Sequence, residues 1–186
     1  MRKLKFFLLL SMVFCLIINL TSCSKIYKST NADEYQSFVD DVYNANLHMP
    51  EPSDLGDYES FFASRKTPQD MFFNTVDSVA LIVQYNEDTF QNAYNVLFEK
   101  YDFVESKSEY VRDIEAKVNN FEFRIVDDPS FYLRNLEGER ILSGNMLLLI
   151  GIDDVDLRIA YLYHSDCEGG VVEDLEEYIE KGYVLK

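Results

Sequence analysis

Residues 146–152 (MLLLIGI) and 157–163 (LRIAYLY) are apolar runs of strand length, separated by the acidic link Asp153-Asp154-Val155-Asp156. Runs this short are too brief for a core helix, and so short a link folds the second back along the first, which predicts an antiparallel hairpin. Residues 76–85, rich in β-branched and other apolar side chains, read as a further, fully buried strand. A sheet of this kind must be covered, and the chain supplies helical stripes to do it.

Asn31 precedes the first stripe, with Glu34 placed as in a capping box, and Tyr35, Phe38, Val39, Val42 and Tyr43 recur at helical spacing. Pro50 and Pro52 end that element, and residues 53–64 read as a second short helix before Pro68. Asn86, followed by Glu87 and Asp88, offers the cap and acidic first turn of a helix whose buried stripe is Phe90, Ala93, Tyr94, Leu97 and Tyr101. From Tyr110 the period changes to two. Tyr110, Ile114, Ala116 and Val118 alternate with charged residues, Asn119-Asn120 offers a tight turn, and Phe121, Phe123 and Ile125 alternate again. A helix over residues 108–118 is the rival reading. Residues 129–138 read as a connection, and Leu175, Tyr178 and Ile179 mark a last helix with Lys181 in its final turn and Gly182 as its stop. This order predicts an α+β fold, a mostly antiparallel sheet with helices packed on one face.

Composition agrees with one globular domain. The chain has 186 residues, 47% apolar and 15% aromatic, with 13 Tyr, 14 Phe and no Trp, so its core is expected to be Phe-rich and Tyr-edged. Residues 1–22 read as an export leader, 23–32 as a tether and 33–186 as the folded domain. Removing the leader's Arg2, Lys3 and Lys5 takes the formal charge from −16 to −19. A field of that sign repels phosphate backbones, which excludes nucleic acid as a partner and favours cationic partners or plain solubility.

The leader itself is basic at its start and apolar from Phe6 to Leu20 apart from Ser11 and Asn19. Asn19, Thr21 and Ser22 interrupt the run before the roughly 20 apolar residues that a spanning helix needs. It ends in Leu20-Thr21-Ser22-Cys23, which resembles the lipobox of bacterial lipoproteins: a branched apolar residue, two small residues, then Cys. The resemblance covers these four residues and the leader before them. It implies that the Cys23 thiol receives diacylglycerol, that a peptidase cuts in front of it, and that palmitate-type acyl chains hold the mature protein in the cell envelope. The location implied is the outer face of the plasma membrane or the outer membrane. Ser24 stands where an Asp would, in that family, favour inner-membrane retention. The two or three chains implied make attachment effectively permanent, since each buried methylene contributes about 0.8 kcal/mol. Lys25 and Lys28, the only charges in residues 24–30, suit a segment lying near anionic headgroups. Cys15 leaves with the leader, so Cys167 is the one thiol of the folded part and no intramolecular disulfide is expected.

No catalytic, cofactor-binding or nucleotide-binding pattern is expected. Asp153, Asp154 and Asp156 have the chemistry to chelate a hard cation, but the surrounding spacing is not that of a calcium loop, and a turn explains them. Asp127-Asp128 before Pro129 also reads as a turn. His164, Ser165, Asp166 and Cys167 gather reactive types, yet neighbours on a strand point to opposite faces and do not form a nucleophile and base. His48 is the one other imidazole, in a Pro-flanked loop. Gly169-Gly170 lacks the longer glycine pattern of a phosphate loop. The leading expectation is a membrane-anchored binding module whose acidic, Tyr-bearing face takes a protein, peptide, glycan or cationic ligand. The alternatives are a hydrolase using carboxylates that meet only in the fold, and a structural envelope component.

Overall fold

A computed structural model describes residues 25–67, 77–104, 117–118, 120–134, 138, 140–142 and 146–165. Their elements are β1 (Lys25–Ser29), α1 (Ala32–Asp41), β2 (Ser60–Thr67), β3 (Asp77–Gln84), α2 (Glu87–Lys100), β4 (Lys117–Val118), β5 (Phe121–Ile125), β6 (Tyr132–Arg134), β7 (Arg140–Leu142), β8 (Met146–Asp153) and β9 (Arg158–Ser165). One seven-stranded sheet runs β1-β2-β3-β9-β8-β5-β4, antiparallel at every pairing, and β6 with β7 forms a two-stranded ribbon.

Residues opposite each other across antiparallel strands share a face, so the register sorts the sheet into two layers. One face carries Phe61, Leu81, Val83, Ile159, Tyr161 and Ile150. Both helices pack there. Tyr35 of α1 meets Phe61 edge-on at 6.2 Å, Phe90 of α2 meets Tyr85 at 6.4 Å, and Phe98 of α2 lies under the Arg124 guanidinium of β5. The other face, with Ile82, Leu162, Leu149 and Phe123, is also buried. Each such side chain contributes about 1.5–3 kcal/mol when removed from water. That is why β3, β8 and β9 are unbroken apolar runs rather than alternating ones: both of their faces are interior. The fold is therefore α+β, a mostly antiparallel sheet with its helices on one face.

The helix starts follow from their caps. Asn31 Oδ1 accepts from the amides of Asp33 (2.8 Å) and Glu34 (3.3 Å), and Asn86 Oδ1 from that of Thr89 (3.0 Å). Each is worth about 1 kcal/mol. The first helix stops at Asp41, because Val42 is already extended, and Tyr43 of the expected stripe is 71% exposed.

Elsewhere the structure departs from the sequence reading. Residues 53–64 are not a helix: a 3-10 turn, Pro52–Leu55, is stopped at Gly56 with φ +69°, and β2 begins at Ser60. Phe61, Phe62 and Ala63 are apolar towards both faces, which erases any period, and pairing with β3 on one side and β1 on the other decides the conformation. Of the tether residues 23–32, Lys25–Ser29 pair as the edge strand β1, and Ala32 onward is α1. The connection over 129–138 contains a 3-10 turn, Pro129–Phe131, and the strand β6. The hairpin around Asn119-Asn120 is present, with Val118 opposite Phe121, and the rest of its first arm, residues 110–116, lies outside the described residues. So does the last helix expected around Leu175 and Ile179. No helix of the described residues is long and apolar enough to cross a membrane.

The β8–β9 turn is closed by a buried ion pair. Asp153 is fully buried and Arg158 is 6% exposed. The Arg158 guanidinium donates to Asp153 through Nε (3.0 Å) and one terminal nitrogen, and that nitrogen also reaches Asp156 (2.8 Å). Asp153 Oδ1 accepts the turn amides of Val155 (3.2 Å) and Asp156 (2.9 Å). Leu157 takes a positive φ of +55°, of order 1 kcal/mol for a side-chain-bearing residue. Its carbonyl is fixed by the Tyr85 amide at 3.0 Å.

Two stability outcomes are expected from chemical denaturation. Asp153→Ala should cost about 3–5 kcal/mol, because it leaves the Arg158 guanidinium buried without its carboxylate. Gly151→Ala should cost about 1–3 kcal/mol by overpacking, since an added Cβ would stand 2.6 Å from the ring of Phe123, its partner across β5. A loss below about 0.5 kcal/mol in either variant would contradict the packing described.

Candidate functional site

The segment from Val42 to Gly56 has little regular structure and is held over the helical face by tyrosine hydroxyls. Tyr35 of α1 donates to the Pro50 carbonyl at 2.7 Å, Tyr85 at the end of β3 to Leu55 at 3.1 Å, and Tyr163 of β9 to Tyr43 at 3.0 Å. Burial pushes these phenols up, Tyr85 to about 12, so all of them stay protonated donors.

Between this segment and α2 lies a cleft of about 240 Å³. Its floor is formed by Tyr85, Tyr161 and Leu97, and its rim by Asp54, Asp57, Asp88 and Asn92. Tyr161 projects from the centre of β9 and is 7% exposed. A second hollow of about 500 Å³ adjoins the first and shares Asp54, Lys100 and Tyr101 with it. Its walls add Glu51, Asp102, Asp127 and Asp128, so carboxylates outnumber the Lys100 ammonium in both hollows. Lys100 Nζ is 3.2 Å from Asp54 Oδ2 and 5.4 Å from the centroid of the Tyr101 ring. Burial would lower the Lys100 ammonium, but Tyr101 and Asp54 beside it raise it above its ordinary value.

His48 closes one end of the second hollow. Its ring stacks on Tyr163 at 5.5 Å and 11° and packs on Phe131 at 4.7 Å. Nδ1 is 3.7 Å from Asp128 and Nε2 is 3.5 Å from Ser130 Oγ. These are the residue types of a catalytic triad without its geometry. Ser130 Oγ donates to Asp128 at 2.6 Å, and Asp128 also accepts the Ser130 amide at 2.8 Å as cap of the 3-10 turn, so the hydroxyl proton is committed to the carboxylate and not to the imidazole. Burial raises Asp128, but the two Ser130 hydrogen bonds and His48 outweigh it and hold the carboxyl below its usual range. Asp77, by contrast, is pushed up by burial, against the pull of Arg65, but it lies in an ion pair on the β2–β3 strands and not in either hollow.

The residues singled out from sequence lie as follows. Asp153 and Asp156 are engaged by Arg158, and Asp156 also accepts from Asn120 Nδ2 at 3.4 Å, so their oxygens serve the turn. Asp154 is exposed in that turn. Among the described residues no group of three or more His, Cys, Asp or Glu is placed to hold a metal ion. His164 is fully buried on the face away from the helices, in one row with Lys66 and Ser78, while His48 sits on the helical face. Cys167 and Gly169-Gly170 lie outside the described residues. The cleft residues Asp54, Tyr85, Lys100 and Tyr161 come from separate segments and escaped the sequence reading. Asp88, Ala93, Leu97 and Tyr101, which also line the cleft, are legible in the sequence only as the first turn and buried stripe of α2.

No protein-family model matches the chain, and neither does any curated protein or any solved structure.

The surroundings of His48 generate a pH dependence. Burial lowers its pKa and Asp128 offsets that only in part, so the folded state prefers the neutral ring. A folded pKa below the unfolded one of about 6.5 means stability that is present above pH 6.5 and lost as pH falls through the folded value. Thermal unfolding between about pH 7.5 and 5.5 should show falling stability that flattens in His48→Gln. An unchanged slope in that variant would assign the effect elsewhere.

Proposed function

We propose that this chain is an extracytoplasmic binding lipoprotein, held to a membrane by acyl chains on Cys23 and using the tyrosine-floored cleft to take a ligand. One observation carries the anchoring: a basic, then apolar leader that ends in Leu20-Thr21-Ser22-Cys23. The fold is consistent with it, because β1 starts at Lys25. The chain from Cys23 to Lys25 spans at most about 7 Å, so the folded domain would stand close to the headgroups rather than on a long stalk. The binding role is supported by a concave, aromatic and acidic site with a floor built on rigid strands, the usual setting for ligand recognition.

Intact-mass and peptide analysis of the protein from its native host should find a mature N-terminus at Cys23 with two or three acyl chains. Labelled palmitate should be incorporated into the wild type and not into Cys23→Ser, which should keep its leader. An unmodified Cys23 in the processed wild-type protein would overturn the anchoring.

A further inference from the structure

The polar rim of the cleft between α2 and the Val42–Gly56 segment is weighted towards hydrogen-bond acceptors, with Lys100 and the Asn92 amide as donors beside them. The Tyr85 hydroxyl has given its proton to the Leu55 carbonyl, which leaves only lone pairs for anything in the cleft. Thr89 Oγ1, at the rim, donates to Asn86 Oδ1 at 3.1 Å and is committed in the same way. Asp54, Asp57 and Asp88 are acceptors outright. The other buried polar side chain on the floor is Tyr161. Its ring is more than nine-tenths buried, it lines the floor, and no hydrogen bond to its hydroxyl is formed among the described residues. That hydroxyl opens onto the cleft and is free to bond whatever enters it.

Lys100 shows which chemistry satisfies such a place. Its ammonium lies over the Tyr101 ring and against Asp54 at once. Both partners of that ion pair are about half exposed, with side-chain exposures of 47% and 49%, so the pair is weak and open to competition. The volume also limits the occupant: about 240 Å³ is below the roughly 300–1,000 Å³ of sites for drug-sized molecules.

We propose that this cleft binds an alkylammonium group, seated over Tyr161 among the rim carboxylates, in competition with the protein's own Lys100. An ammonium brings three donors and no acceptor, the complement of the walls, and it gains from the aromatic faces as well. A neutral polyol could donate to the same walls but brings no positive charge to the carboxylates, and an anion would meet them directly. The inference rests on the cleft being the binding site of the proposed function, and not on the acylation of Cys23.

The test is calorimetric titration of the full-length protein in detergent with 1,4-diaminobutane and with an end-blocked Gly-Lys-Gly peptide, which separate a free amine from a peptide side chain. 1,4-Butanediol and succinate serve as the neutral and anionic counterparts. At least one ammonium probe should saturate and the counterparts should not. Tyr161→Phe should weaken that binding about fivefold, Asp54→Asn about tenfold, and Lys100→Gln should tighten it about threefold by removing the competitor. The sign of the Lys100→Gln effect is decisive, since an acceptor-rich ligand would be weakened. Near-ultraviolet circular dichroism confirms that each variant is folded. Failure of both ammonium probes to saturate by about 10 mM, equal binding of butanediol, or indifference to Tyr161→Phe and Asp54→Asn in folded protein would overturn the proposal. Intact mass of the same preparation reads the anchor independently: an unacylated chain that binds the amine sinks only the anchoring, and an acylated chain that binds neither probe sinks only this inference.

Discussion

The Asp153–Arg158 ion pair closes the turn between β8 and β9, and the sheet is assembled outward from that hairpin. A carboxylate and a guanidinium at that depth tolerate no free valence, so the turn amides of Val155 and Asp156 are drawn onto Asp153 and the Phe121 ring lies 5.0 Å beneath the guanidinium. Each of those contacts fixes register. A one-residue slip of β9 would exchange its two faces and separate Arg158 from Asp153 together. β3 then aligns along β9 from Gln84 opposite Arg158 to Asp77 opposite Ser165, and β2 and β1 follow.

Much of this frame is legible in the sequence because it depends on local pattern. The runs at 146–152 and 157–163 needed only length and a short link, and the caps at Asn31 and Asn86 needed only the two or three residues after them. What could not be read depends on partners far away in sequence. β2 has no period of its own, since Phe61 serves the helical face and Phe62 the opposite one, and only pairing with β1 and β3 makes it a strand. β1 is similar: KIYKS is too short and too polar to announce itself as an edge. The acidic link reads as a turn and is one, but the burial of Asp153 is not legible, because nothing in the sequence marks Arg158 beside the same turn as its partner.

The clefts were harder still. Asp54, Tyr85, Lys100 and Tyr161 lie on a loop, a strand end, a helix end and a central strand, and no spacing links them. Their meeting is a result of topology. Antiparallel register sets Tyr161 in one row with Leu81 and Ala63 on the face that α2 covers, so a large side chain in the middle of β9 must end at the helix–sheet boundary.

Tyrosine is what makes that boundary useful. Its ring packs like Phe, yet its hydroxyl must find a partner, and the position of each ring along the sheet decides which one. Tyr35, Tyr85 and Tyr163 stand beneath the Val42–Gly56 segment and hold its carbonyls, which fixes an otherwise irregular stretch as a wall. Tyr161, also on the helical face, stands where that segment and α2 diverge, so its hydroxyl opens onto the cleft. One residue type therefore builds the wall and leaves the floor polar, and the distinction lies in where the backbone carbonyls end. That is a property of the assembled fold and not of any stretch of sequence, which is why a tyrosine count predicts a Tyr-edged core but not which tyrosine faces a ligand.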